Sequence, residues 1–259
     1  MSGLQVTDDG RVRIIAINRP QRRNAVDAET AAALYDAFLT ADGEDSVRAM
    51  VLTGTGGAFC AGADLQALAT GNLRPVEPDG PGPMGPTRLR LQKPTIAAVE
   101  GAAVAGGLEL ALWCDLRVVA ADAMLGVYSR RWGVPLVDLG TVRLPRLIGH
   151  SRAMDLILTG RGVDGVEAER IGLANRVVPS GEALTTAVQL AHRLAALPQA
   201  CLRGDRLSAI EQWDLDEAAA TRNEARRGRE TIESGETLRG ARRFASGAGR
   251  HGQPDTPGA

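Results

Sequence analysis

The sequence contains few of the residues that mark several classes of protein. Lysine occurs once, at Lys93, and aromatic residues make up 3% of the 259 positions. Positive and negative side chains nearly cancel, leaving a formal net charge of −1. A protein that binds nucleic acid or an anionic membrane carries a basic excess, and one that stacks on bases carries aromatic side chains. The composition therefore favours neither kind of partner.

Cysteine is also scarce. Cys60, Cys114 and Cys201 are odd in number, far apart and free of any Cys-x-x-Cys spacing, which indicates a reducing compartment and argues against a zinc site. We interpret Cys60 as a small buried thiol that fills space rather than as a nucleophile. No metal-ligand cluster and no Gly-x-Gly-x-x-Gly fingerprint after a strand occurs, so neither a metal nor a nicotinamide cofactor is implied.

Long apolar runs are missing as well. No stretch of about 18 apolar residues occurs, and the first residues include charges at Asp8 and Asp9 without an apolar core of signal-peptide length. We therefore expect a soluble, cytoplasmic protein with no membrane partner.

Periodicity predicts an α/β fold, because strand and helix patterns alternate through most of the chain. From about residue 198 the sequence becomes helical and rich in arginine, and residues 246–259 are rich in glycine and proline. We predict a core over residues 1–197, a helical region over 198–245 and a disordered tail over 246–259. Strands are predicted at 11–17, 47–53, 95–99, 116–120 and 173–178, and helices at 27–41, 65–69, 105–113, 140–147, 152–158, 166–171 and 182–197.

Glycine and proline crowd together between Gly71 and Pro86, which no regular element tolerates. This stretch is predicted to be a surface loop. It can serve as a lid over a site or as a plain connector, and the sequence leaves both interpretations open.

Two glycine-bearing segments carry the functional signal. Residues 58–65 read AFCAGADL and residues 101–110 read GAAVAGGLEL. Each would offer a free backbone N–H, and chemistry that builds negative charge on a carbonyl oxygen needs two convergent donors of this kind. Glu109 lies three residues after Gly106, so on a helix its carboxylate shares a face with the second donor.

These segments, with others in the same order, resemble the crotonase superfamily, the enoyl-CoA hydratase/isomerase family. The matching motifs span residues 17–25 (INRP and RNA), 58–65, 93–115 and 171–178. The resemblance implies a crotonase-like spiral of ββα units with a C-terminal helical extension. It also implies an acyl-CoA substrate, and trimers or dimers of trimers in which the tail helices pack at subunit contacts.

The resemblance assigns roles to particular residues. The N–H groups of Ala63 and Gly106 would bind the thioester oxygen of the substrate, and Glu109 would be the retained acid-base residue. Substrate contacts are expected along the first donor segment and at a basic stretch for the coenzyme A moiety. These binding residues are Ala61, Gly62, Asp64 and Leu65 in the first segment, and Arg22, Arg23 and Ala25 in the second. Ser129 and Arg130, further along the chain, are also expected to contact the substrate.

The sequence departs from the family at the second catalytic glutamate. Alignment of Gly126 and Gly133 places Ser129 there, and a serine hydroxyl does not exchange protons near neutral pH as a carboxylic acid does. Asp138 is the nearest carboxylate that could reach the same cavity. It is either a replacement acid or the N-cap of the following helix.

Arg130 and the adjacent Arg131 are new charges beside this position. They would hold a carboxylate on the acyl group, or pair with Asp138 and surface acids. His150, His192 and His251 lie far from the motifs, and none is interpreted as a base.

The sequence therefore predicts an acyl-CoA-processing enzyme of fatty acid metabolism, an enoyl-CoA hydratase or isomerase that stabilises a thioester enolate. Two other readings remain open. One is thioester hydrolysis or decarboxylation, and the other is an acyl-CoA-binding protein that no longer catalyses a reaction.

Overall fold

A computed structural model describes residues 3–72 and 74–248. The chain divides into two compact units, residues 1–192 and 193–259. Of the predicted tail, residues 246–248 form a turn, and residues 249–259 lie outside the described part. Among the described helices, none combines the length and apolar character needed to cross a bilayer.

The first unit contains every strand of the described chain. Its strands are β1 (Leu4–Asp9), β2 (Val12–Ile17), β3 (Ala49–Gly54), β4 (Thr95–Val99), β5 (Ala102–Val104), β6 (Leu116–Ala120), β7 (Met124–Gly126), β8 (Gly162–Asp164) and β9 (Arg176–Val178). Its helices are α1 (Ala28–Gly43), α2 (Leu65–Ala69), α3 (Gly106–Trp113), α4 (Gly140–Ile148), α5 (His150–Thr159) and α6 (Gly165–Arg170), and α7 (Ala183–Ala196) crosses the boundary.

The larger sheet has the strand order β1-β2-β3-β4-β6-β9. In this sheet β2, β3, β4, β6 and β9 run parallel to one another, and β1 pairs antiparallel with β2. Strands β3 and β4 are buried almost throughout, as expected of central strands covered on both faces. Since the parallel strands share one direction, their carboxyl ends meet at one edge.

A smaller sheet joins β5, β7 and β8. Strands β5 and β7 are parallel, with Ala103 opposite Leu125, and β8 is antiparallel to β7. Each strand is three residues long. Strand β5 leads directly into α3, so this sheet fixes the start of the helix that carries Glu109.

Helix α1 shows how local sequence sets an element. Asp27 caps it by accepting a hydrogen bond from the N–H of Thr30 at 2.9 Å. The helix buries Leu34 and Phe38 completely, and the Phe38 ring meets Trp113 edge to face at 4.8 Å between centroids. This contact packs α1 against α3.

The second unit is helical, with α8 (Gln199–Glu211), α9 (Glu217–Glu233) and α10 (Glu236–Ala245). Arg227 of α9 donates to Glu211 of α8 at 2.8 Å through Nε. Glu236 accepts hydrogen bonds from the N–H groups of Ala200 and Cys201, which occupy the first turn of α8. The prediction of an α/β fold with a C-terminal helical extension is therefore confirmed.

Candidate active site

The two glycine-bearing segments lie side by side. The N–H of Cys60 donates to the carbonyl of Ala102 at 2.8 Å, and the N–H of Val104 donates back to the carbonyl of Cys60 at 3.1 Å. Gly62 has a φ of +96°, and a Cβ on it would lie 3.0 Å from the nitrogen of Gly106. Glycine at 62 therefore permits both the left-handed backbone and the close approach of the two segments.

The two predicted donors are the N–H groups of Ala63 and Gly106. Within residues 3–72 and 74–248, neither the N–H of Ala63 nor that of Gly106 has an acceptor. The neighbours of Ala63 pair with Val26 through the carbonyl of Gly62 and the N–H of Asp64, which leaves the N–H of Ala63 unused. Gly106 begins α3, where the first N–H groups have no partner inside the helix.

The turn before Gly106 is strained. Ala105 has a φ of +54°, a conformation that non-glycine residues rarely adopt, and its N–H donates to the carbonyl of Gly126 at 2.9 Å. Strand β5 therefore turns abruptly into α3, and the positive end of the helix dipole lies at the free N–H of Gly106.

Ala63 and Gly106 both line one cavity of about 490 Å³. Its lining is mostly apolar, and Leu65, Leu68, Val76 and Trp132 contribute large side chains that are more than 40% exposed. The charged residues in the described lining are Arg74, Glu109 and Asp138. An apolar cavity with a few convergent polar groups is typical of a small-molecule site.

Glu109 is almost fully buried, with 2% of its surface exposed. Its Oε1 accepts hydrogen bonds from the N–H of Asp138 at 2.9 Å and from that of Gly140 at 2.8 Å. Burial, followed by the nearby charge of Asp138, raises the pKa of Glu109 to about 7, although the two N–H donors oppose this shift. A carboxyl group with this pKa can accept or donate a proton near neutral pH.

Asp138 lines the same cavity and is also buried. Its Oδ1 accepts a hydrogen bond from the N–H of Met84 at 3.0 Å and another from the hydroxyl of Thr87. Burial raises the pKa of Asp138 above its usual value. The alternative that Asp138 caps the following helix is wrong, because Leu139 occupies the N-cap position of α4 and its φ of +68° separates Asp138 from the helix.

Ser129 stands at the position where the family has its second catalytic glutamate. Ser129 lines the cavity and is 6% exposed, and its Oγ is buried without a hydrogen-bond partner in the described chain. A polar atom of this kind is rare, since most buried hydroxyl groups are satisfied. The contact of Ser129 with substrate stays a prediction.

Arg130 and Arg131 are directed elsewhere. The Nε of Arg130 donates to the carbonyl of Ile157 at 3.0 Å, and the guanidinium of Arg131 lies 4.0 Å from the ring centroid of Tyr128. Neither pairs with the carboxylate of Asp138, whose partners are Met84 and Thr87, so the interpretation that they pair with Asp138 is wrong. Neither arginine lines the cavity.

Of the first donor segment, Ala61, Ala63 and Leu65 line the cavity. The carboxylate of Asp64 is instead held by the guanidinium of Arg19 at 3.0 Å and by the first N–H groups of α2, which it caps. That carboxylate has a structural role here. Substrate contact by Gly62 and Asp64 would therefore have to use backbone groups.

The predicted coenzyme A stretch borders this segment. The carbonyl of Arg23 accepts a hydrogen bond from the N–H of Ala61 at 3.0 Å, and the carbonyl of Ala25 accepts one from Arg19. Arg22 and Arg23 are exposed, and Arg22 donates to the side chain of Gln66. An anionic group of a ligand could therefore reach both guanidinium groups from solvent.

The loop between Gly71 and Pro86 forms part of the cavity wall. Its described residues contain no helix or strand, and Arg74, Val76, Pro83 and Met84 line the cavity. Arg88 links the loop to another lining residue by donating to the carbonyls of Glu77 at 2.6 Å and Val137 at 3.3 Å. The loop is thus more than a connector.

Four residues around the two carboxyl groups were not identified from the sequence. The N–H of Gly140 and of Met84 and the hydroxyl of Thr87 hold the carboxyl oxygens, and Arg143 donates to the carbonyls of Asp138 and Thr87. The sequence could have indicated Gly140, because it lies two residues after Asp138 and begins the helix predicted at 140–147. Thr87 and Arg143 carried none, because 56 positions separate them.

Known proteins resemble this chain along most of its length. The enoyl-CoA hydratase/isomerase family profile matches residues 7–247. An enoyl-CoA hydratase of Mycobacterium tuberculosis is 36% identical over 91% of each chain, and a crotonyl-CoA hydratase of Syntrophomonas wolfei is 35% identical over 83% of this chain and 85% of the relative.

Solved structures show the same fold. The crystal structure of an enoyl-CoA hydratase from Mycobacterium marinum has a TM-score of 0.90 at 34% identity and covers 95% of this chain and 96% of its own. An enoyl-CoA hydratase structure from Mycobacterium tuberculosis has a TM-score of 0.89 at 35% identity with the same coverage. With sequence motifs, fold and profile in agreement, the chain belongs to the enoyl-CoA hydratase/isomerase family, the crotonase superfamily.

Proposed function

We propose that this protein is an enoyl-CoA hydratase, which adds water across the double bond of a 2-enoyl-CoA thioester. One observation carries the proposal. Two backbone N–H groups, at Ala63 and Gly106, have no acceptor in the described part of the chain and share a mostly apolar cavity with the buried carboxyl group of Glu109. The relatives named as hydratases support the same activity.

In this mechanism water attacks C3 of the enoyl thioester while Glu109 accepts the proton that the water releases. The electron pair of the double bond moves toward the thioester carbonyl, whose oxygen gains negative charge. Hydrogen bonds from Ala63 and Gly106 stabilise that enolate, and a preorganised donor at such a position contributes about 3–4 kcal/mol. A proton then adds to C2, and the product is a 3-hydroxyacyl thioester.

Asp138 is the proposed donor of the C2 proton. It lines the cavity, and its raised pKa favours the protonated carboxyl group. The glutamate that the family has for this step is replaced by Ser129. Two carboxyl groups in one cavity suit hydration, which both removes a proton from water and delivers one to carbon. An isomerase is the second candidate, because the single pair of proton transfers that moves a double bond requires only Glu109.

The decisive experiment assays a panel of acyl-CoA thioesters for water addition, double-bond migration and release of free coenzyme A. We expect water addition to dominate in the wild-type protein. Glu109→Gln keeps the shape of the side chain but removes the proton acceptor, so turnover should fall by about 10²-fold or more with little change in binding. Full activity of Glu109→Gln would overturn the mechanism.

Asp138→Asn separates hydration by two carboxyl groups from chemistry by Glu109 alone. A loss comparable with that of Glu109→Gln supports a proton-donor role for Asp138. Unchanged water addition would remove that role, and migration without hydration would establish the isomerase. Release of free coenzyme A would favour the hydrolase reading, and saturable binding without turnover would favour a binding protein.

For the coenzyme A moiety, we propose that Arg22 or Arg23 contacts a phosphate beside the backbone of Ala25. Calorimetry with a non-hydrolysable acyl-CoA should show binding that Arg22→Ala or Arg23→Ala weakens. We propose no further cofactor, since the reaction only moves protons and water.

We further propose a cytoplasmic role in fatty acid metabolism and a homotrimer or dimer of trimers that uses residues 198–245. Exposed apolar side chains at Ile232, Leu238 and Phe244 support an interface there. Light scattering that found a monomer at micromolar concentration would exclude this assembly.

A further inference from the structure

Arg143 lies on α4, one turn beyond the residues that hold Glu109. It is half-buried, its Nη1 donates to the carbonyl of Asp138 at 3.1 Å, and its Nη2 donates to the carbonyl of Thr87 at 2.6 Å. One guanidinium therefore joins two segments that are distant in the sequence. The sequence motifs give it no role.

The two joined segments hold both carboxyl groups of the cavity. The 84–88 segment binds the carboxylate of Asp138 through Met84 and Thr87, and the 138–140 segment binds the carboxylate of Glu109 through two N–H groups. Any shift between these segments would move Asp138 relative to Glu109. The carbonyl of Thr87 accepts a hydrogen bond from Arg143, and the hydroxyl of Thr87 donates one to Asp138. Thr87 therefore connects Arg143 to the carboxylate of Asp138.

We propose that Arg143 is a positioning residue that fixes the two carboxyl groups relative to each other and supplies a positive charge beside them. This inference rests on the proposed hydratase function. Arg143 itself does not line the cavity, so it acts through Asp138 and Glu109 and not on the substrate.

The charges around Arg143 agree with this role. Burial lowers its pKa to about 10, while Glu109, Asp138 and the thiol of Cys114 favour its charged form and Arg146 opposes it. A group with this pKa still carries its charge at neutral pH. Arg143 and Arg88 in turn lower the pKa of Asp138, against the effect of burial.

The test compares the pH dependence of kcat/KM for Arg143→Met, Arg143→Lys and wild-type protein on one enoyl-CoA. Loss of the charge disfavours both carboxylates, so the acid limb of Arg143→Met should move upward by about one pH unit. Arg143→Lys keeps the charge and should keep the acid limb, but it cannot span both carbonyls and should lower kcat.

Arg152→Met, an exposed arginine on α5, is the control and should leave the profile unchanged. A lowered kcat/KM for Arg143→Met with an unmoved acid limb would overturn the proposal, because a purely structural residue behaves in this way. An acid limb shifted equally in Arg143→Lys would also overturn it.

Failure of the proposed function is detected separately. If the wild-type protein hydrates no substrate, carboxyl titration by carbon NMR still tests the inference, since the pKa values of Glu109 and Asp138 should rise in Arg143→Met. Unchanged titration would overturn it. If Arg143→Met does not fold, Arg143→Gln removes the charge while keeping donor groups and takes its place in both measurements.

Discussion

Gly140 offers the sharpest test of how Glu109 is held. Its N–H donates to Oε1 of Glu109 at 2.8 Å, and a Cβ at this position would lie 2.8 Å from both Cγ and Oε1 of that side chain. Contacts of a Cβ below 3.0 Å are essentially never found, so Gly140→Ala must displace the carboxyl group. We therefore expect the variant to impair proton transfer directly.

The magnitude follows from this geometry. A displacement of about 1 Å from a productive position costs about 10²-fold in rate, and general base catalysis as a whole contributes about 10²–10⁴-fold. We expect kcat/KM on an enoyl-CoA to fall by about 10²-fold. Stability should change little, because Gly140 is not among the left-handed glycines and alanine is a better helix former.

The assay pairs water addition with thermal unfolding, and Gly43→Ala is the matched control. Gly43 also lies in a helix, but no atom is within 4 Å of a Cβ built there, so activity should be unchanged. Activity of Gly140→Ala within about threefold of wild type would refute the reasoning. A loss explained by unfolding at the assay temperature would refute it equally.

Three further predictions use the same site. Glu109 must be ionised to act as a base, so kcat/KM should fall about tenfold per pH unit below its pKa of about 7, and a flat profile between pH 5 and 8 would contradict this role. Gly107→Ala places a Cβ 2.0 Å from the carbonyl oxygen of Cys60 and should lower the free energy of unfolding by about 2 kcal/mol or more in urea titrations. Trp132 lines the cavity yet is 71% exposed, so Trp132→Ala should reduce kcat/KM for long-chain enoyl thioesters and spare short-chain ones, whereas an equal loss for both would exclude an acyl-chain contact.

The sequence predicted those elements whose pattern is long enough to have a period. Strands β4 and β6 occur at the predicted residues, and Asp27 caps α1 as expected. Strands β5, β7 and β8 were missed, because three residues show no alternation that distinguishes a strand from a turn. Strand β1 was missed for another reason, since four of its six residues, at 5 and 7–9, are polar.

Site residues could be predicted from the sequence where their role depends on a local backbone conformation or on a short motif. The free N–H groups of Ala63 and Gly106 arise from local backbone geometry that glycine makes possible, and Glu109 follows from helical spacing. Thr87 and Arg143 contact Asp138 only because the fold brings residues from distant segments together. No local pattern encodes such a contact.

The position of Asp138 explains how a chain with serine at 129 still has two carboxyl groups in its cavity. Ser129 lies in a short 3₁₀ helix, and the segment after it returns to the cavity, so that Val134, Val137 and Asp138 line the same space. The segment places the N–H of Asp138 on Glu109 and its carboxylate on Thr87. Because Glu109 is held by N–H groups of the segment that carries Asp138, substitution of Asp138 should alter the ionisation of Glu109. Asp138→Asn should accordingly lower the pKa of Glu109 in a carboxyl titration followed by carbon NMR, since Asp138 raises that pKa when it is ionised, and an unchanged pKa would exclude this coupling.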